Sequence, residues 1–351
     1  MQLYLHLTDL EYFKLLNEGF LLPSGKEQKE IAGFFARHFP GELAENISPQ
    51  YEVNFQAIKE LKRKFPDVFK KIDGIYYGSD NCEYLIPHVH EVKKALESFG
   101  EFNKKFPPHK VRTFTLVTPY VGNKMLEMLE KTLSYLHENP QKFPVEVVVN
   151  DLVLKVISEK YSSLKITFGR LIHKILKTPL IDTYGYEVHP SGELIRNKSA
   201  QEIEAMKQEI VKWQLKFYAS SEGNLPIYRK FLQKHSIERI TVDYMEKRED
   251  LYKSYEDIGV DLYYPWALVF TGRLCDTSSV ENPARGYYAT DDVCPRTCHR
   301  IDVFYKVKTI GYHLIQRGNS AYRSECNLDY ITEEWFQNTN NRLIFSPFIP
   351  V

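Results

Sequence analysis

The sequence predicts an α/β protein folded as a (β/α) barrel, or as a distorted TIM-like barrel carrying inserted segments. Short runs rich in β-branched and aromatic residues alternate with amphipathic helical stretches almost from end to end, which is the signature of parallel βα units. About eight such runs occur, the number that closes a barrel. The chain of 351 residues is long enough for one barrel with its helices, although length alone also permits two ordinary domains. A doubly wound open sheet is the competing arrangement.

The runs read as strands are "QLYLHL" at 2–7, "GIYY" at 74–77, "VRTFTLV" at 111–117 and "VEVVV" at 145–149. They continue with "KITF" at 165–168, "RITVDY" at 239–244 and "WALVF" at 266–270, and "VFYKVK" at 303–308 supplies an eighth. Between them, Met125, Leu126, Met128, Leu129, Leu133 and Leu136 fall on one helical face, with Asn123 placed to cap it. A second helix starts at a capping box formed by Ser199 and Glu202, after which Ile203, Met206, Ile210, Trp213 and Phe217 recur at three- and four-residue steps. Such stripes are core and imply no cofactor. Residues 20–72 and 180–198 do not fit an even barrel and read as insertions. Neither contains a Gly- or Ser-rich linker, so residues 1–351 read as a single barrel-type domain.

Forty-six basic residues balance forty-six acidic ones. That balance argues against a dedicated nucleic-acid binder, whose electrostatic footprint is basic. Met1 to Leu10 lacks the cationic start and apolar run of an export signal, and no stretch approaches the roughly 20 apolar residues of a membrane span. The expectation is a soluble cytoplasmic protein. Five cysteines in so long a chain fit reduced thiols, some of them metal ligands, better than a disulfide scaffold.

In parallel βα architectures the loops leaving the C-terminal strand ends converge over the barrel mouth, so position relative to the strands is informative. Cys82 follows "GIYYGSDN" and Cys275 follows "WALVFTGRL", while Asn150, Asp151 and Arg170 lie just beyond two further strands. Cys294 and Cys298 are four apart in "DDVCPRTCHR", a spacing that on a helical turn puts their Cβ atoms about 5–6 Å apart. Four thiols match the donor set of tetrahedral zinc or of a four-iron, four-sulfur cluster; ordinary core packing is the third reading. The intervals C-x18-C-x3-C favour the cluster, because structural zinc commonly uses tighter C-x2-C knuckles. Cys326 is a replacement ligand or a spare thiol. Arg273, Arg296, His299 and Arg300 flank the thiols and could offset their charge. His88 and His90, two apart, read as surface histidines at a helix start.

"DGIYYGSDNC", "VEVVVNDLVLKVISEKYSSLKITFGRLIHKILKTP" and "YPWALVFTGRLC…CPRTCHR" resemble successive blocks of the collagenase-like proteins known as peptidase family U-thirty-two, over roughly residues 70 to 305. That resemblance implies a barrel-type fold and, as in many members, a cluster held by four cysteines. Within the family the likeness is nearest to the branch that hydroxylates ubiquinone precursors without oxygen as a two-subunit pair, and there to the smaller partner. Carried over by position, its ligands fall on Cys82, Cys275, Cys294 and Cys298. The interval from Cys275 to Cys294 is longer than in that branch, and the segment before residue 70 is unfamiliar.

The resemblance therefore implies an oxygen-independent hydroxylase, or a heterodimeric partner of one, acting on a small molecule or quinone precursor with a 4Fe-4S cluster as electron carrier. Asn150, Asp151, Arg170 and Arg273 are the candidates for orienting substrate. Relatives that modify RNA carry an added C-terminal domain, and zero net charge further disfavours an RNA substrate. The alternatives are a peptidase, for which no H-E-x-x-H or G-x-S-x-G arrangement is present, and a non-catalytic binding subunit stabilised by zinc.

Overall fold

The computed structural model describes residues 1–18, 41–105, 112–151, 157, 159–172, 198–219, 226–244, 258–272, 275, 277–278, 294, 296–299, 301–307 and 312–350. Eight parallel strands close a barrel: β1 (Gln2–Leu7), β2 (Ile72–Gly78), β3 (Thr113–Thr118), β4 (Val145–Val149), β5 (Lys165–Phe168), β6 (Arg239–Asp243), β7 (Gly259–Tyr264) and β12 (Arg342–Phe345). The last strand slots between β1 and β7, pairing Leu3 with Leu343 and Leu262 with Leu343 in parallel register. A (β/α) barrel is thus the fold.

Four more strands follow β7 and form a separate antiparallel sheet: β8 (Trp266–Thr271), β9 (Val303–Val307), β10 (Tyr312–Arg317) and β11 (Ser320–Ser324), in the order β8-β11-β10-β9. "WALVF" and "VFYKVK" therefore belong to this added sheet, and the seventh and eighth barrel strands are β7 and β12. Because β8 starts only two residues after β7 ends, the sheet is attached at the C-terminal mouth of the barrel.

The helices are α1 (Leu10–Asn17), α2 (Gly41–Lys64), α3 (Val89–Lys104), α4 (Asn123–Glu138), α5 (Ala200–Ala219), α6 (Pro226–Lys234) and the short α7 (Glu333–Gln337). The stripe on α4 packs as its spacing predicts, with Leu129, Leu133 and Leu136 buried. Its cap position is Gly122 rather than Asn123; the Gly122 N–H donates to Glu83 Oε2 at 2.6 Å. The box at α5 is formed, Glu202 N donating to Ser199 Oγ at 3.3 Å and Ser199 N to Glu202 Oε2 at 2.8 Å. Helix α2 lies inside the segment expected as an insertion, yet its Ala57, Ile58 and Leu61 are part of the main core. The 180–198 segment lies outside the described residues apart from its final residue, Lys198.

Between strands and helices the core is apolar, and the barrel interior is not. Tyr4, Tyr76, Val117, Val148, Tyr263 and Ile344 fill the middle of the lumen. Below them, at the N-terminal strand ends, Arg342 binds both oxygens of Glu146 at 2.5 and 3.0 Å, and Arg239 pairs with Asp261 at 2.6 Å. A cavity of about 590 Å3 opens beside these pairs, lined by Lys165, Arg229, Arg239 and Arg342 among others. It lies at the opposite end from the sheet, on the face that in such barrels serves stability. Among the described residues no helix is long and apolar enough to cross a membrane.

Candidate functional site

At the C-terminal end of the lumen the strands deliver charge. Arg170, two residues beyond β5, is buried and donates from Nη1 to Asp243 at 2.7 Å and from Nη2 to Asp80 at 2.9 Å. Its guanidinium also lies 3.9 Å from the centre of the Tyr263 ring, a cation–π contact inside the protein. Burial alone would lower the Arg170 pKa; Asp80 and Asp243 outweigh it and raise the value further. The added sheet joins this network, since Leu268 N on β8 donates to Asp243 Oδ1 at 3.1 Å. Tyr322 on β11 bonds Asn81, the residue between Asp80 and Cys82.

Asn150 connects three segments. Its Nδ2 donates to Asp80 Oδ1 at 3.0 Å and to the Thr118 carbonyl at 2.9 Å, while its Oδ1 accepts from Leu171 N at 3.0 Å. Close approach of the chain at Gly169 makes this possible, because a Cβ added there would overlap the Asn150 carboxamide. Gly169→Ala is expected to expel that side chain and cost about 2–4 kcal/mol through overpacking and lost buried hydrogen bonds. The midpoint of urea unfolding measures it, and an unchanged midpoint would remove Asn150 from this role. Asp151 accepts from Val121 N at 2.9 Å and anchors the loop before α4. Asn150, Asp151 and Arg170 thus all hold the barrel mouth in shape, with hydrogen bonds to protein groups; Arg273 lies outside the described residues.

The four expected thiols reach this end from four places. Cys82 follows β2 and its N–H bonds Ser79 Oγ at 3.3 Å; Cys275 follows β8, with its sulfur 3.4 Å from Thr277 Oγ1. Cys298 sits in a short 3-10 turn, Thr297–His299, and Cys294 is half-buried just before it. Cys82 and Cys298 share an apolar cluster with Trp266, Leu268, Ile315 and Tyr322, sandwiched between barrel mouth and sheet. Burial pushes the Cys82 thiol well above its ordinary value, and the fields of Cys298, Cys275 and Cys294 push it further. Burial likewise raises Cys298 to about 12, against the opposing pull of Arg317 and with Cys275 and Cys294 adding to the rise. Cys275 and Cys294 thus each act electrostatically on Cys82 and Cys298, and all four are free thiols. Among the described residues, no three His, Cys, Asp or Glu side chains stand close enough together to hold a metal ion.

Cys326 is placed elsewhere, 3.8 Å from the Val53 carbonyl and packed against the main core. Of the flanking cations, Arg296 pairs with Glu91 on α3 at 3.0 Å and His299 with Asp9 at the start of α1 at 3.0 Å. These contacts moor the cysteine turn to the barrel helices. Arg296 adopts a left-handed φ of 54°, uncommon for a residue with a Cβ, and its mooring holds it there. His88 and His90 are exposed at the start of α3, as a surface pair should be. Sequence reasoning missed His6, Asp80, Asp243 and Arg317. The two aspartates were within reach of the strand-end rule that selected Asn150, whereas Arg317 has no local signature.

No family model, curated protein or solved structure matches this chain.

Proposed function

We propose that Cys82, Cys275, Cys294 and Cys298 hold a 4Fe-4S cluster, and that the chain is an oxygen-independent hydroxylase or the electron-carrying partner subunit of one, acting on a small-molecule or quinone-precursor substrate. What supports this reading is that Cys82 and Cys298, far apart in sequence, are buried in one apolar cluster beneath the added sheet, and that Cys275 and Cys294 act on both of them electrostatically; the four side chains as they stand would have to draw closer to share one centre. Thiolates are soft ligands that suit iron–sulfur clusters or zinc, and a bound cluster would relieve the cost of ionising buried sulfur. A cluster held by these four thiolates would supply one-electron transfer.

This chain's own residues prepare the surroundings. Asp80, Arg170 and Asp243 lock the segment leading to Cys82 against the end of β6, and Tyr322 and Trp266 exclude water from the inner sulfurs. Asn150 fixes the neighbouring strand ends around the same point. Thiols whose pKa values are raised are poor nucleophiles near neutrality, which weighs against a cysteine-peptidase reading.

Protein prepared without oxygen is expected to be brown and to contain about four irons and about four acid-labile sulfides per chain. Serine at any of the four positions should lower the iron content, and Cys326→Ser should leave it unchanged. About one zinc per chain, or colourless anaerobic protein without iron, would overturn the assignment.

A further inference from the structure

The cavity of about 590 Å3 at the N-terminal end of the barrel is walled by charged side chains that take no part in the thiol site. Alternation along the strands turns Glu146 on β4, Lys165 on β5, Arg239 on β6 and Arg342 on β12 toward this end of the lumen, and α6 adds Arg229. A second cavity of about 450 Å3 shares Lys165, Ile166, Ser236 and Glu238 with the first, so the two form one groove around the end of α6. Ile166, Ile237 and Ile258 supply an apolar part of its wall.

The charges of the first cavity do not cancel. Lys165, Arg229, Arg239 and Arg342 face Glu146 and Glu238, and Asp261 holds Arg239 from within at 2.6 Å, so positive charge is left over. The two arginines also keep hydrogen-bond donors in hand. Arg239 donates to Asp261 Oδ1, to the Asn340 carbonyl and to Asn340 Oδ1. Arg342 donates to both oxygens of Glu146, to Tyr76 OH and to Gln2 Oε1. Those bonds leave a guanidinium N–H on each and fix both planes before any ligand arrives. Lys165, exposed and next to Glu146 in the β4–β5 register, adds a compact charge at the rim.

We propose that this groove binds a small organic phosphate, with the phosphate group against Lys165, Arg229 and the remaining N–H groups of Arg239 and Arg342, and the organic body along the apolar wall. A volume of about 590 Å3 is in the range that small-molecule sites occupy. A phosphate ester offers one more acceptor oxygen and more charge than a carboxylate, and so meets cations arriving from β5, α6, β6 and β12 together; a carboxylate is satisfied by a single arginine fork, as Glu146 already is by Arg342. The groove lies at the opposite end of the barrel from the thiols and is independent of any centre they hold. Its ligand is an effector that stabilises the folded chain by binding it and not the unfolded one, rather than a substrate.

The test is isothermal titration calorimetry on the full chain, in chloride buffer of matched ionic strength, with inorganic phosphate, phenyl phosphate and benzoate as probes. Inorganic phosphate is expected to bind, phenyl phosphate to bind more tightly because it also covers the apolar wall, and benzoate to bind more weakly than either. Lys165→Gln and Arg229→Gln should each weaken phenyl phosphate binding by about tenfold, the loss of one charge-assisted hydrogen bond. Lys131→Gln, at an exposed lysine on α4, should leave it unchanged. Thermal unfolding gives a second readout: phenyl phosphate should raise the midpoint of the parent protein and leave that of the double variant K165Q/R229Q where it is. Because Lys165 is exposed, its replacement leaves folding intact and decides alone if Arg229→Gln does not fold. Failure of both phosphates to bind, undiminished affinity in Lys165→Gln, or equal weakening by Lys131→Gln overturns the site, and benzoate binding as tightly as phenyl phosphate overturns its assignment to phosphate.

Discussion

Arg170→Met is expected to destabilise the protein by about 3–5 kcal/mol, because it leaves two carboxylates buried without their cation. Asp80 and Asp243 are both essentially inaccessible to water, and Arg170 bridges them at 2.9 and 2.7 Å. Removing the guanidinium also strips the Tyr263 ring of its cation. The damage should reach the thiols, since Asp80 stands two residues before Cys82 and their segment is tied to the sheet through Asn81 and Tyr322. Urea unfolding measures the first effect, and the rate at which Cys82 reacts with a thiol reagent in the folded protein measures the second. Adding Asp80→Asn and Asp243→Asn to Arg170→Met should recover part of the lost stability, because asparagine keeps an acceptor for Leu268 N and Tyr263 OH without a buried charge. If the triple variant is no more stable than Arg170→Met alone, the loss comes from the arginine's packing and not from stranded carboxylates.

The barrel was legible because its first six strands carry β-rich chemistry separated by helical stretches, and the local pattern there coincides with the global one. It became illegible around Pro265. Strand β7 runs almost directly into β8 in "GVDLYYPWALVFT", so a single apolar passage conceals two strands of different sheets. Composition cannot distinguish a strand that pairs in parallel inside a barrel from one that pairs antiparallel in an added sheet, and "WALVF" was placed in the wrong one. β12 is only four residues long, "RLIF", and offers too little pattern to detect. Of the thiols, the sequence carries the placement and not a shared centre. Strand-end position brings Cys82 to the C-terminal rim, and Cys275 follows β8, which is not a barrel strand. The charges around them were hidden, because Arg317 meets Cys298 only through the folding back of β9 and β10.

His6 gives the fold an acid-sensitive point with a defined pH window. The ring lies at the end of β1, 2% exposed, edge-on to Tyr263 at 5.4 Å. Its Nε2 is 2.9 Å from the Gly78 carbonyl, which can only accept, so Nε2 carries the proton and Nδ1 is left as a buried acceptor without a hydrogen-bond partner. Burial lowers its pKa, Asp80 pulls upward, Arg170 pushes down again, and the value settles at about 4 against an ordinary 6.5. Between those values the unfolded chain takes up a proton that the folded chain refuses, so stability rises with pH across the window. The contribution is complete above 6.5 and is lost as pH falls toward about 4, in full about 3 kcal/mol at about 1.4 kcal/mol per pH unit. Glu146 acts in a lower range: burial would raise its pKa, but Arg342 holds it below the usual 4.5, so its share is lost only under stronger acid. The interval from 6.5 down to 4.5 lies above the range of Glu146, and burial raises Asp302 toward it with the opposite sign, so the difference between parent and His6 variant isolates the histidine. Unfolding midpoints measured across it should decline steeply for the parent protein and much less for His6→Gln, even though the variant starts from a lower stability. Equal slopes for the two proteins would mean that His6 takes up its proton in the folded state as readily as in the unfolded one, and that the mouth of the barrel is open to water at this residue.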